Sequence, residues 1–503
     1  YILGQLYSSQ GNFSRACENL HQGIKIHQRT RSSLKDETDK ISLDGTNCPC
    51  YKSLSWLLLR ERNFNQALFT LELGRSRALV DLMLKKYEIK RNPVQNELTP
   101  NALESFLKER KKNFLFIATF GVKSFALWFV DTTGRVKFKQ VNADLETELS
   151  KESSATEEHG MDTSSSTLDD LQCEDRSLAS LYENDVLASR EQKLKPNKGS
   201  VKMQVKQIGS KSCISLSYMV KSYSALIAPI FDLIDSPEII ISPESGIFLT
   251  PFASLKDENG KYLSETVRIR LTPSLTTLKL IHDSSASYHS QTGALIVGDP
   301  AVSSVEINGS VKTLDPLPEA REEAQMVSRL VGVRCLIGEE ATKEEVLKRI
   351  QEVSLVHIAA HGDETTGEIA LAPNRSVVGV PKIGDVLLTM NDIAQVGIRA
   401  KLVVLSCCHS ARGKTLEAEG IVGIARAFLG SGARSVLMSL WAVDDGATKT
   451  FMNIFYKSLI REKLSASESL HQTMRKMRES QLYSDREHWA PFVLLGDDVT
   501  LTF

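Results

Sequence analysis

Four short runs constrain this chain most. Ile239-Ile240-Ile241, Ala294-Leu295-Ile296-Val297, Val356-His357-Ile358-Ala359 and Val403-Val404-Leu405-Ser406 are almost continuously apolar, and helix-period segments near 317–331 and 342–351 fall between them. An unbroken apolar run of this length suits a strand buried on both faces, the condition of parallel strands joined by helical crossovers. The rhythm predicts an α/β fold: a parallel-centred sheet with helices on both faces. Composition allows it. With 42% hydrophobic and 24% charged residues, a chain of 503 residues has globular proportions. Its length suits about three domains of ~150 residues each.

Several classes are excluded. Lys plus Arg is 61 against 62 for Asp plus Glu, a net charge of −1, so nothing global points to nucleic acid or an anionic membrane. No apolar run approaches the ~18 residues of a membrane helix. The eight cysteines are irregularly spaced and two of them, Cys407 and Cys408, are adjacent, which is no secreted disulfide framework. A reducing, cytoplasmic setting is expected. Cys48-Pro49-Cys50 lacks zinc-type spacing, so no metal is assigned there.

Residues 1–28 have helical periodicity, with Leu3, Gly4 and Tyr7 followed by Ala16, Leu20 and Gly23. The second set recurs as Ala67, Leu71 and Gly74 with the same gaps of four and three, 51 residues later. That offset is a 34-residue repeat plus 17 residues, and the polar stretch from Thr30 to about Thr46 is the natural insertion. The pattern resembles the tetratricopeptide repeat (TPR). It implies that residues 1–90 are degenerate helical repeats closing a longer array, with a linking helix over 91–112. Protein partners docking on these helices are what the resemblance implies.

From Phe114 the period turns strand-like, with β-rich runs at 114–129 and 135–141 separated by the hairpin signal Asp131-Thr132-Thr133-Gly134. Composition then breaks. Between Asp144 and Asp185 thirteen acidic residues face two basic ones, and from Arg190 to Lys211 seven basic residues face one acidic. Apolar content there is too thin to repay ordering, so 145–210 is read as a disordered insertion. A helix follows over 214–235, kinked or restarted at Pro229.

Two strands of the expected sheet end in reactive side chains, His361 followed by Gly362, and Cys408. Ligands of open α/β sheets bind beyond the carboxyl ends of strands, so neighbouring ends converge on one cleft. A thiol there is a nucleophile when an imidazole stabilises its thiolate and later protonates the leaving amine. Glycine after the His permits close backbone approach, and the N–H groups of Gly362 and Cys408 suit an oxyanion cradle. A buried structural Cys is the competing reading. A metal hydrolase on His357 and His361 lacks the intervening Glu of H-E-x-x-H, so no metal or cofactor is expected.

His357-Ile-Ala-Ala-His361-Gly362 and Val404-Leu-Ser-Cys-Cys408-His-Ser resemble the CHAT family, caspase-like domains often found with TPRs. Pro316-Leu-Pro-Glu-Ala-Arg-Glu-Glu-Ala324, Gly338-Glu-Glu-Ala-Thr-Lys343 and Glu419-Gly-Ile-Val-Gly-Ile-Ala-Arg-Ala-Phe428 agree in order. So do Gly432-Ala-Arg-Ser-Val436, Ser439-Leu-Trp-Ala-Val-Asp-Asp445 and Trp489-Ala-Pro-Phe492. The resemblance covers about 110–503 and implies a caspase-like domain over 113–503, of the caspase, separase and gingipain cysteine-peptidase type.

Carried over, the base is His361 and the nucleophile Cys408, with His357 a hydrogen-bonded core residue within its strand. Cys407 stands where relatives have a small residue; strand alternation points the two cysteines to opposite faces, and the resemblance places Cys408 in the cleft. Asp445 matches a segment that lines the specificity pocket in the separase branch, which implies a basic P1 side chain; a helix-capping Asp is the alternative. Ile421, Ile424, Ala425, Phe428 and Leu429 read as one helix face, stopped by Gly430 and Gly432. Ala411 replaces a glycine common in relatives, and a positive φ there would be strained. The expected function is a TPR-docked cysteine endopeptidase; the alternative is a non-catalytic TPR–CHAT scaffold for protein–protein interaction.

Overall fold

The structure, a computed structural model, describes residues 1–34, 37–87, 99–121, 123–143, 145, 216–285, 287–302, 304–307, 309–363, 366–408, 410–411, 413–416 and 419–503. Apart from Leu145, the insertion expected over 145–210 lies outside the described residues, as do residues 91–98 of the expected linking helix.

The chain opens with two helical hairpins, α1 (Ile2–Ser9) with α2 (Phe13–Ser33) and α3 (Glu37–Arg60) with α4 (Phe64–Gly74). Their repetition is atomic. Asn12 and Asn63, 51 residues apart, each cap the following helix by accepting the backbone N–H three residues on at 3.3 Å. Ala16 and Ala67 are fully buried, and a Cβ on Gly4 would fall 2.7 Å from Leu20. The polar stretch expected to hold the insertion forms the end of α2 and the start of α3. Two of its charges are internal: buried Arg31 pairs with Asp44 at 2.8–2.9 Å and also with Asp81, while His27 lies 3.1 Å from Asp44. Paired burial makes these polar residues helix-to-helix contacts.

Helices α5 (Arg77–Lys86) and α6 (Pro100–Arg110) lead into an eleven-stranded sheet. Its strands are β1 (Asn113–Thr119), β2 (Ser124–Val130), β3 (Val136–Asn142), β4 (Glu238–Pro243), β5 (Arg268–Leu271) and β6 (Ala294–Pro300). They continue, past a small hairpin of β7 (Val305–Ile307) and β8 (Ser310–Lys312), with β9 (Leu336–Gly338) and β10 (Leu355–Ala359). After the short pair β11 (Ile369–Ala370) and β12 (Leu387–Leu388) comes β13 (Leu402–Leu405). The hairpin of β14 (Lys414–Leu416) and β15 (Gly420–Val422) precedes the last sheet strands, β16 (Ser435–Ser439) and β17 (Phe492–Gly496). The order is β3-β2-β1-β4-β5-β17-β16-β13-β10-β6-β9.

Two parallel blocks meet at one antiparallel seam. Strands β1, β4, β5 and β17 run together, β16, β13, β10, β6 and β9 run together, and β16 pairs β17 antiparallel. The four apolar runs are β4, β6, β10 and β13, each buried almost throughout. The run expected over 114–129 is two strands, since the chain reverses after Thr119 with Gly121 at φ +83.

The later helices are α7 (Leu216–Leu226), α8 (Leu275–Asp283), α9 (Pro318–Val331), α10 (Lys343–Arg349), α11 (Ile383–Val386) and α12 (Met390–Gln395). They end with α13 (Ile424–Gly430), α14 (Asp445–Tyr456) and α15 (Ala466–Arg478). Both sheet faces are covered. Val356, Ile358, Val403 and Leu405 face a core with α10, α12 and α13, whereas Leu355, Leu402 and Val404 face one with α9, α14 and α15. The repeat helices share a third core with the sheet, where Leu20, Tyr51 and Leu71 cluster with Phe116, Trp128 and Ile240. Each such buried side chain stabilises the fold by about 1.5–3 kcal/mol. Ile421, expected on the helix after Cys408, lies in β15, because Gly420 at φ +75 turns the chain into a hairpin and α13 starts only at Ile424.

Candidate active site

The parallel pairing of β10 with β13 sets His357 opposite Val404 and Ile358 opposite Leu405. Continuing that offset of 47 residues brings His361 level with Cys408, just past the ends of adjacent strands. Alternation decides the faces. Ile358 and Cys407 belong to the core on one side of the sheet, while Val404 belongs to the other, so Cys408 follows Val404 as His361 follows His357. Cys407 is turned inward, and its thiol donates to the Ile358 carbonyl at 3.4 Å.

Both predicted groups are deeply set: His361 is 8% exposed and Cys408 4%. The imidazole is held by the backbone of a loop between β8 and α9, with Nε2 at 2.9 Å from the Asp315 carbonyl. A carbonyl only accepts, so Nε2 carries the proton, and in the neutral ring Nδ1 is the acceptor. Gly362 packs directly on Cys408; a Cβ there would sit 2.3 Å from the Cys408 carbonyl oxygen and 3.3 Å from Cys407 Cβ. No other residue fits.

The turn carrying Cys408 is tied to β16 beside it. The Ser410 hydroxyl donates to the Leu405 carbonyl and accepts the Ser439 N–H at 2.9 Å, and the Ala411 N–H donates to the Ser439 carbonyl at 2.9 Å. Ala411 is not among the residues with positive φ, so the strain feared at this position does not arise. A recess beside the thiol is lined by Ser406, Cys408, Ser439, Val443, Thr448 and Phe492, and Cys407 also borders it.

Asp445 lies near this recess without lining it. It is 4% exposed in the first turn of α14, and the helix cap is its neighbour Asp444, whose carboxylate accepts the Ala447 N–H at 2.8 Å. His357 is the core residue expected. It is fully buried, with Nε2 at 3.1 Å from Glu323 on α9 and Nδ1 at 3.0 Å from the Tyr456 hydroxyl on α14. Burial and the Glu323 charge push the Tyr456 phenol well above its ordinary range. No role was assigned from the sequence to Asp315, Glu323, Tyr456 or Ser410; Glu323 and Ser410 do lie within quoted motifs, those that begin at Pro316 and Val404, whereas Asp315 and Tyr456 carry no sequence signal. Among the described residues no group of three or more His, Cys, Asp or Glu is placed to hold a metal ion.

Strand ends with a His–Cys pair on the cleft side of a helix-covered parallel block define the caspase-like α/β class. Residues 220–497 match the CHAT domain, and the chain belongs to that family. It is 31% identical over 302 residues to human (Homo sapiens) tetratricopeptide repeat protein 28, and equally to the mouse (Mus musculus) protein of that name. Each alignment takes in 52% of this chain and 12% of the relative, so the chain spans a small part of their length. Among solved structures, Saccharomyces cerevisiae separase in its complex with securin has a TM-score of 0.55 at 13% identity, covering 98% of this chain and 38% of that one. That likeness is one of fold.

Proposed function

We propose that the chain is a cysteine endopeptidase with Cys408 as nucleophile and His361 as base. One observation carries the reading: the imidazole donates through Nε2 to the Asp315 carbonyl, while Gly362 lies against the Cys408 backbone. His361 Nδ1 is then the acceptor for the thiol proton. The thiolate attacks the scissile carbonyl carbon, forming the C–S bond, and the carbonyl electrons move to oxygen. The N–H groups of Gly362 and Cys408 are proposed to receive that oxyanion. Collapse breaks the C–N bond as the imidazolium returns its proton to the leaving amine. Water, deprotonated by the same imidazole, then hydrolyses the thioester. Asp445 is proposed to select a basic P1 side chain from its place between Val443 and Thr448, two residues of the recess. The helical hairpins are proposed to dock the protein partner, in a cytoplasmic setting that keeps the thiols reduced.

Labelling the native chain with a library of peptidyl chloromethyl ketones, then locating the modified cysteine by mass spectrometry, tests this. Labelling at Cys408, peptidase activity lost in Cys408→Ala, and a loss of about 10²–10⁴-fold in His361→Ala are expected. A preference for Lys or Arg at P1 that Asp445→Ala abolishes supports the pocket; an apolar or acidic preference counts against it. The deep burial of Cys408 also suits the second reading, a non-catalytic scaffold. A Cys408 no more reactive than a denatured thiol favours that one.

A further inference from the structure

The carbonyl that orients His361 belongs to a loop with little intrinsic reason to be rigid. Asp315 precedes Pro316, which biases Asp315 to an extended conformation and fixes its own φ but leaves the segment's position open. Its place is set from a third strand. Asp299, near the end of β6, turns one carboxylate oxygen to the Leu317 N–H at 2.8 Å and the other to the Arg321 guanidinium at 2.8 Å. Asp299 is buried and has φ +47, a left-handed conformation that side chains other than Gly, Asn and Asp resist. The chain therefore holds an uncomfortable backbone where this carboxylate is delivered, which happens at functional positions.

The surroundings leave the loop one place to go. Gly298, one residue earlier, lets α9 lie flush on β6: a Cβ there would stand 2.3 Å from Ala324 Cβ and 2.8 Å from the Ala320 carbonyl. Leu317 is buried with Ala320 against Ala359 of β10, two residues before His361. Three consecutive residues thus span the whole connection. The Leu317 N–H is held by Asp299, Pro316 locks the next φ, and the Asp315 carbonyl meets the imidazole.

We propose that Asp299 is a positioning residue for His361, acting through the 315–317 loop to fix the imidazole as the Nε2–H tautomer. This rests on the reading of His361 as the base paired with Cys408, but its first readout does not. In chain labelled with 15N-histidine, and with His361→Ala to assign the signal, the ring nitrogens of His361 report which one carries the proton. Wild type should show Nε2–H. Asp299→Gly, which keeps the left-handed backbone and deletes the carboxylate, should give a mixture of tautomers. It should also slow iodoacetamide labelling of Cys408 at pH 7 roughly tenfold, because a misoriented ring stabilises less thiolate. Asp299→Asn, which keeps an acceptor for Leu317 and a side chain that tolerates positive φ, should restore most of both.

Arg321→Ala removes a half-exposed side chain that the fold tolerates losing, and should shift both readouts the same way by less. Should Asp299→Gly fail to fold, this variant decides. Wild-type nitrogen signals and labelling rate in both Asp299→Gly and Arg321→Ala would overturn the proposal. If His361→Ala leaves the Cys408 rate unchanged, the dyad reading falls instead, and the nitrogen signals still decide the role of Asp299.

Discussion

Glu419, eleven residues beyond Cys408, caps a helix from the other end of the chain: its Oε1 accepts the backbone N–H of Ala78 in α5 at 3.0 Å. Its second carboxylate oxygen and its own carbonyl both meet the buried Arg426 guanidinium. The α5 N-cap residue, Ser76, supplies no side-chain cap of its own, so a carboxylate from the distant loop serves a helix N-terminus. The hairpin after the candidate nucleophile is therefore tied directly to α5.

Glu419→Ala should cost about 3–5 kcal/mol, the range for removing one partner of a buried ion pair, since Arg426 is left buried and unpaired. Urea unfolding measures the loss. Hydrogen exchange should rise first in the opening turn of α5. A loss below ~1 kcal/mol would mean that water replaces the carboxylate there.

Gly298→Ala is expected to destabilise by about 1–3 kcal/mol, because α9 backbone and not a flexible side-chain tip occupies the space its Cβ needs. The helix has to lift, carrying the Asp315 carbonyl away from His361. Thermal unfolding and the Cys408 labelling rate should fall together; a stable variant with a wild-type rate would show that α9 yields without moving the loop.

Acid should weaken the fold before its carboxylates titrate. Burial, and then the Arg434 guanidinium, push His289 down to about 4, while its Nε2 lies 3.1 Å from the Gly432 carbonyl. The unfolded chain, with an ordinary histidine near 6.5, binds more protons over this interval, so stability is complete above pH 6.5 and lost as pH falls towards 4. The contribution is on the order of 3 kcal/mol. Glu238, held at about 2 by Arg270 and Lys112 despite its burial, loses its share only from about pH 4.5 downward. Burial raises Glu72, which acts in the opposite sense, so the comparison is wild type against His289→Gln. Urea midpoints at pH 7.0, 5.5 and 4.5 should fall for wild type and stay flatter for the variant; parallel curves would clear His289.

Cys407→Ala should separate the adjacent thiols. Its Sγ–H donates to a carbonyl inside the core, so its loss should cost about 1 kcal/mol and leave Cys408 labelling unchanged. A marked fall in Cys408 labelling would mean that both side chains act at the recess.

Much of the architecture was legible because it is periodic. Uninterrupted apolar runs marked β4, β6, β10 and β13, and period-two alternation put Cys407 and Cys408 on opposite faces, the family resemblance then choosing Cys408 for the cleft. The 51-residue recurrence of Ala and Gly found the helical hairpins, whose Asn12 and Asn63 caps repeat in the same way. Where periodicity misled, a single backbone event overrode it. Gly420 turns Ile421 into a strand.

The sequence by itself determined the elements, the side of the sheet each strand residue faces and the residue types at the strand ends, because these depend on neighbours a few positions away. Tertiary structure alone decided what meets them. The Asp315 carbonyl reaches His361 across 46 residues, and Glu419 reaches Ala78 across 341. The two parallel blocks oppose each other at β16 and β17, and Asp445 is buried while Asp444 caps α14. A hydrogen bond between distant segments depends on where whole strands and helices pack, and no local spacing encodes that.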